Sequence, residues 1–462
     1  MKKTKYIANY RQLAGAIAIF LSNFAWAGIP IQQWTQASGA RVSLVESPAI
    51  PMVDVQIDFD AGSRRDPAGQ AGLAAMTAGQ ISNGVLAVPG APALDENALS
   101  EAWADLGASF GASAGTDRMS FTLRSLTYPD LLARAVTLAA QQIGAPAFAQ
   151  AEWLRDRERV KASLKEANTR PATLAQRAFD KAVFGEHPYG RDTTEASLMR
   201  IGTNDMHTLY ARQIAPCRAV VSIVGAVTRV QADLMATQLL SQLPTGVAAP
   251  AAAASTSVPT PAPCEPLTVV PEVEPLVAPQ ELRLPFNSAQ AHVLIGQPGY
   301  KRDDPDYFAL TVGNYILGGG GFVSRLTAEV REKRGLSYSV YSYFSPGLHA
   351  GAFAVGLQTR PDQATQAVQV ARDVLKSFVA DGPTPAELKA AKDYFSGSFA
   401  LRIDSNQKLL GNLSNIAWNR LPIDYLDTWT QHVEKVTVAD IKAAFARKLQ
   451  PDKMVTVVVG GE

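Results

Sequence analysis

Two residues in the second half of this 462-residue chain are of types that can handle a peptide carbonyl: Arg331 and Tyr338, seven positions apart. A guanidinium presents a planar fork of fixed donors, and a phenolic hydroxyl can donate to an oxyanion forming on a carbonyl carbon. They lie in Leu317-Gly318-Gly319-Gly320-Gly321-Phe322-Val323-Ser324-Arg325-Leu326 followed by Val330-Arg331-Glu332-Lys333-Arg334-Gly335-Leu336-Ser337-Tyr338-Ser339-Val340-Tyr341. By themselves these residues admit a plainer reading. Arg331 to Arg334 could be a solvated helix end, Tyr338 and Val340 one packed face of a strand, and the glycines a turn. Other chemistry is sparse. The histidines His187, His207, His292, His349 and His432 are scattered, and none has a second histidine three or four residues away, so a helical metal pair is not formed. His187, in Phe184-Gly185-Glu186-His187-Pro188-Tyr189-Gly190, reads as a loop histidine making hydrogen bonds. The only cysteines are Cys217 and Cys264. Bridged, they would close a loop contributing about 4 kcal/mol in the chain-entropy account, and unbridged they are two independent thiols; spacing alone leaves both open.

The elements that must position such residues are arranged in two similar halves. Lys2, Lys3, Lys5 and Arg11 precede an apolar run from Leu13 to Phe24 that closes on Ala25-Trp26-Ala27, the pattern of a secretory signal, with Gly28 as the expected mature start. The run is short for a bilayer span, which needs about 20 apolar residues, so cleavage is favoured over an uncleaved anchor. No later stretch is long and apolar enough to cross a membrane, and an exported, soluble product, periplasmic or otherwise, is expected. Losing the four lysine and arginine charges of the signal takes the formal net charge from +1 to −3, which argues against a nucleic-acid surface. From Pro244 to Pro263 the chain is rich in Pro, Ala, Ser and Thr and has no charge, as befits a semi-extended linker. The expected organisation is a signal at 1–27, a domain at 28–244, a linker at 245–266 and a second domain at 267–462. The halves repeat in register: Gly62, Arg65 and Asp66 recur as Gly299, Arg302 and Asp303, Pro129-Asp130 as Pro361-Asp362, and Val220 to Gly225 as Val455 to Gly460. Near-constant offsets of this kind indicate a duplicated domain. Strand runs such as Val53 to Phe59, His292 to Gly296 and Met119 to Leu123, beside helical patterns at Leu131 to Ile143 and Ala151 to Ala167, predict an α+β layer rather than a doubly wound sheet.

These segments resemble the M16 family of insulinase-like, or pitrilysin-like, zinc peptidases over nearly the whole mature chain. The resemblance implies two homologous M16-type domains, each a sheet packed against a helical layer, joined by the Pro/Ala-rich linker. It also implies where zinc ought to be held. In Gly72-Leu73-Ala74-Ala75-Met76-Thr77-Ala78-Gly79 the family's H-x-x-E-H positions fall on Ala75, Ala78 and Gly79, and none of these side chains has a lone pair to give a metal or a base to activate water. Gly84 matches a family turn glycine, Glu166 matches the first of two distal glutamates, and the distal ligand position falls on Thr173. All protein ligands are thus replaced, and this chain is expected to bind no metal or cofactor. Restoring the motif would still leave the third ligand missing. The glycine run with Arg331 and Tyr338 is similar to the family segment whose arginine and tyrosine reach substrate held at zinc elsewhere. The resemblance therefore gives Arg331 and Tyr338, and more weakly Gly319 and Gly320, a substrate-binding role.

The implied function is a non-catalytic subunit of an exported M16 metalloendopeptidase heterodimer, inactive alone. It would supply Arg331 and Tyr338 to an H-x-x-E-H-bearing partner that binds the zinc and cuts peptide or unfolded-protein substrate. The alternative is a non-enzymatic scaffold or peptide-binding assembly protein, similar to the M16-derived core subunits of respiratory complexes. An active peptidase with an unorthodox site would need ligands that the sequence does not offer.

Overall fold

The computed structural model describes residues 28–244 and 264–461; the signal-like segment and residues 245–263 of the linker lie outside the described residues. The first part of the chain supplies β1 (Gln32–Thr35), β2 (Arg41–Glu46), β3 (Met52–Phe59), the short pair β4 (Gly84–Val85) and β5 (Leu94–Asp95), then β6 (Ser109–Ala114), β7 (Met119–Leu126) and β8 (Val220–Gly225). The second part supplies β9 (Gln280–Leu284), β10 (Ala291–Pro298), β11 (Ser339–Phe344), β12 (Ala352–Thr359) and β13 (Val455–Val459). The first sheet has the order β1-β2-β8-β3-β7-β6 and the second β11-β12-β10-β13-β9.

Apart from β1, the two sheets share one plan. β2 runs parallel to β8, as β9 does to β13, and each pair continues through antiparallel neighbours, β3 and β7 to the edge strand β6, or β10 and β12 to the edge strand β11. The repeated sequence landmarks sit at matching places in this plan. Period-two burial explains the strands. Along β7, Met119, Phe121, Leu123 and Ser125 are buried while their neighbours are not, the alternation of a sheet with one covered face. The Pro129–Gly144 helix opens on proline, whose missing N–H costs nothing in the first turn, and buries Ala135, Val136, Ala139 and Ile143 in the first core. By contrast the Gln150–Ala167 helix is largely exposed and buries only Trp153 and Asp156.

Two helices change sides. Pro171–Phe184 packs against β10 and β13 of the second sheet, and Asn406–Trp418 packs against β8 and β3 of the first. In the first contact Ala175, Phe179 and Val183 join Leu294, Val455, Val457 and Val459; in the second, Leu409, Leu410, Leu413 and Ile416 join Val45 and Val224. Phe179 and Leu413 are fully buried, and burying each stabilises the sheet it covers by about 2–3 kcal/mol. The halves are therefore clasped reciprocally.

The chain returns from the linker as a strap across both halves. Cys264 is joined to Cys217 as a disulfide, with Cα atoms 5.7 Å apart. Beyond it the carbonyls of Glu265 and Thr268 accept from Arg218 Nη2 (2.6 Å) and Arg65 Nη1 (2.8 Å). His187 Nε2 lies 3.0 Å from the Pro271 carbonyl while its Nδ1 accepts from the Tyr189 amide (3.1 Å), so both ring nitrogens are engaged. Burial, helped by the adjacent His349 ring, lowers its pKa even though the bond to Pro271 works the other way.

Candidate functional site

The positions expected for a zinc motif lie on the Leu73–Gln80 helix. Its N-terminus is fixed by the buried Asp66, whose carboxylate accepts from Gly72 N (2.8 Å) and Ala74 N (2.9 Å), satisfying amides that have no partner inside the helix. Burial pushes this carboxyl up to about 6, with the amide bonds from Ala74, Gly72 and Leu73 opposing it. One turn further on, Ala78 is buried and Gly79 faces open space. The residues present do not fit a zinc ion: Ala75, Ala78 and Gly79 supply no donor atom, and among the described residues no group of three His, Cys, Asp or Glu could hold a metal.

The structure brings Asp156, rather than Thr173, to this helix. Asp156 Oδ2 accepts from Gln80 Nε2 (2.8 Å) and Asn83 Nδ2 (2.7 Å). Burial raises the pKa of this carboxyl, but the bonds from Asn83 and Gln80 and the charge of Arg159 outweigh it and the net shift is downward. Thr173 instead stands in the first turn of the exchanged Pro171–Phe184 helix, which packs on the second sheet. Glu166 is exposed and paired with Arg170. Position counting from Glu166 missed Asp156 because a carboxylate held by two amides has no sequence signature; an acid on the buried side of an otherwise charged helix was the available hint.

Arg331 and Tyr338, by contrast, come together. Arg331 lies in a π-helical turn, Thr327–Glu332, and Tyr338 directly precedes the edge strand β11. The guanidinium carbon stands 4.7 Å from the centre of the Tyr338 ring and 4.7 Å from that of Phe322, a cation held between two π faces. Tyr338 is 80% exposed and Phe322 69%, whereas Val340 is 5% exposed; Tyr338 does not share the packed face that Val340 occupies. The solvated-helix-end reading fits Lys333 and Arg334, which both bind Glu329 (2.6 and 2.7 Å). Arg331 has no carboxylate partner among the described residues.

The glycine run is a close-packed element and not a loose turn. Tyr315–Gly319 forms another π-helical turn. A Cβ at Gly318 would stand 2.5 Å from the Ser342 amide of β11, and one at Gly320 2.7 Å from the Tyr315 carbonyl. Only glycine lets this segment lie on the edge strand, and Gly319 stands exposed beside it. Phe322, quoted in the sequence segment but given no role there, is the aromatic that the run presents to Arg331.

Comparison with known proteins adds to this geometry. Residues 41–197 match the family profile "Insulinase (Peptidase family M16)" and residues 200–395 the profile "Peptidase M16 inactive domain". A crystal structure titled as a peptidase M16 inactive domain from Pseudomonas fluorescens shares 33% identity and a TM-score of 0.84, covering 94% of this chain and 98% of that one. The non-peptidase homolog YmxG of Helicobacter pylori is 26% identical over 413 residues, 87% of this chain and 88% of that protein. An uncharacterized zinc protease of Streptomyces coelicolor is 37% identical over 156 residues, a stretch that spans 33% of either protein.

Proposed function

Since the chain belongs to the M16 peptidase family as one of its non-catalytic members, we propose that it is the substrate-binding subunit of an exported heterodimeric zinc metallopeptidase. Arg331 and Tyr338 complete the active site of a partner that bears H-x-x-E-H. The observation that carries this reading is the contrast between the two sites. The Leu73–Gln80 helix has no donor where metal ligands belong, while the half-buried Arg331 and the exposed Tyr338 are adjacent and make no salt bridge or hydrogen bond to an acid among the described residues.

The chemistry follows from the groups. The guanidinium fork donates to a peptide carbonyl, and the phenol donates to the oxygen on which charge grows as water attacks. The edge strand β11 starts at the residue after Tyr338; its outer side has no strand neighbour, although at Ser342 it is covered by Gly318 and the carbonyl accepts from Asn314 Nδ2 (3.1 Å). An extended peptide added there by main-chain hydrogen bonds would be recognised with little regard to sequence. Zinc belongs to the partner, and no step of this chain's contribution passes through a metal of its own. Export rests on the basic, then apolar, N-terminal segment, and no helix of the described residues is long and apolar enough to cross a membrane.

The test is to measure bound zinc and peptidase activity of the chain from Gly28 onward, alone and mixed with an H-x-x-E-H-bearing M16 chain from the same source. Activity confined to the mixture, with zinc only on the partner, is the expected result. Stoichiometric zinc and activity in this chain alone would overturn the reading, and a mixture that assembles without activity favours the scaffold alternative.

A further inference from the structure

The repeated Gly-x-x-Arg-Asp turn of the two halves has a second outcome, away from Tyr338. Arg65 and Arg302, which correspond in the duplication, line the same cavity of about 550 Å³ between the halves. Arg41, Arg218 and Arg420 line it too, against the carboxylates of only Asp60 and Asp303. Asp60 is already shared by Arg64 and Arg65, and Asp303 is exposed. Residues 245–263 contain no charge and residues 1–27 no acid.

Arg65 is neutralised by Asp60, which accepts from both its Nε and its Nη2, whereas Arg41, Arg218, Arg302 and Arg420 have no salt-bridge partner among the described residues. Arg302 is 8% exposed; the one hydrogen bond of its guanidinium among the described residues goes to the Tyr425 hydroxyl (2.7 Å), and the group lies over the Tyr307 ring (3.8 Å), towards a neighbouring cavity that both tyrosines line. Arg218 donates Nη2 to a carbonyl, but its Nε is buried with no partner. The Arg41 guanidinium bonds only the carbonyl of Ala417 (3.4 Å) among the described residues. Burial, then the neighbouring Arg420, lowers the pKa of Arg41; burial, then Arg65, lowers that of Arg218, despite the opposing charges of Asp60 and Glu265. Arg420 has φ +53°, a conformation that costs a non-glycine residue about 1 kcal/mol or more. Its counterpart in the first half, at the offset that separates Val220 from Val455, is Gly185 with φ +57°. Leu267, Leu348 and Trp418 give the cavity an apolar wall.

We propose that this inter-half cavity is a binding site for a small multivalent oxyanion, a phosphate- or carboxylate-bearing molecule whose charge offsets the unpaired arginines, Arg41, Arg218 and Arg420 foremost. Guanidinium forks match such groups two bonds at a time. The site draws arginines from both halves, so the ligand ties them together.

The experiment is calorimetric titration of the disulfide-intact chain from Gly28 onward with inorganic pyrophosphate, with citrate, and with acetate as the monovalent control, repeated at rising salt. It needs no partner subunit, so its outcome is independent of the peptidase reading. One-to-one binding of pyrophosphate, citrate or both, weakening as salt rises, with no binding of acetate, is expected; which of the two binds identifies the oxyanion. Arg218→Gln and Arg420→Gly should each weaken it by roughly 10- to 100-fold, the effect of losing one hydrogen bond to a charged group. Glycine accepts the positive φ, so Arg420→Gly should keep or raise the urea midpoint, and its lost binding cannot be ascribed to unfolding. Failure of both multivalent anions to bind, or binding untouched in both variants, overturns the proposal.

Discussion

Asp180→Asn should stabilise the protein in a way that depends on pH. Asp180 lies on the exchanged Pro171–Phe184 helix and faces a second cavity between the halves, of about 490 Å³. Burial pushes its carboxyl from 3.8 to about 6, against a bond from Gln176 Nε2 (2.9 Å) and with the like charge of Asp192 adding to the rise. A carboxyl raised in the folded state binds more protons folded than unfolded between those two values. Stability therefore falls as pH climbs from about 4 to about 6, and the loss is complete above about 7. The difference of about two units corresponds to about 3 kcal/mol, an upper figure because the site is not fully dry. Asparagine keeps the oxygen that Gln176 needs and cannot ionise. In urea unfolding followed by far-ultraviolet circular dichroism, Asp180→Asn should exceed the parent by about 2–3 kcal/mol at pH 7.5 and match it within about 0.5 kcal/mol at pH 4. Asp66, also raised to about 6, should leave a residual slope in both proteins. Equal gains at the two pH values would mean a packing effect, and no gain at pH 7.5 would mean that Asp180 ionises freely; either refutes the argument.

Other expectations concern the two sites and the clasp. Arg331→Ala or Tyr338→Phe should lower turnover of the assembled pair by roughly 100-fold, the usual effect of losing an oxyanion donor, with assembly measured by gel filtration intact; unchanged turnover in both removes the substrate role. Adding Thr173→Glu to the Ala75→His, Ala78→Glu, Gly79→His variant should leave its zinc content, read by atomic absorption, unchanged, because Thr173 belongs to another helix; a rise to one zinc per chain would show that the two helices meet. Phe179→Ala should cost about 3–5 kcal/mol and lower hydrogen-exchange protection in β13 while sparing β8. Equal loss in both sheets would contradict the exchange of helices.

The duplication was legible in the sequence because it is written in turn residues and strand endings, which recur at nearly fixed offsets. That Ala75, Ala78 and Gly79 have no atom to give a metal is likewise a matter of residue type, readable without a structure. The exchange of helices was not. The pattern of Ala175, Phe179 and Val183 says that one face is buried but not which sheet buries it. Tyr338 and Val340 share a parity that suggests one strand face, yet β11 begins only at Ser339, and the residue before a strand is free to turn outward. The arginine cavity could not be read either. Arg41, Arg65, Arg218, Arg302 and Arg420 are spread over nearly the whole chain and meet only when both halves are assembled.

The exchange of helices also sets an order of events during synthesis. The face of β8 is complete once Gly225 has been made, but the helix that covers it ends at Trp418, 193 residues later. At roughly 5–20 residues per second, ribosomes leave Val45 and Val224 without their cover for about 10–40 seconds. The first half cannot close its own sheet before the second has emerged. Folding of one half and translation of the other are thereby linked.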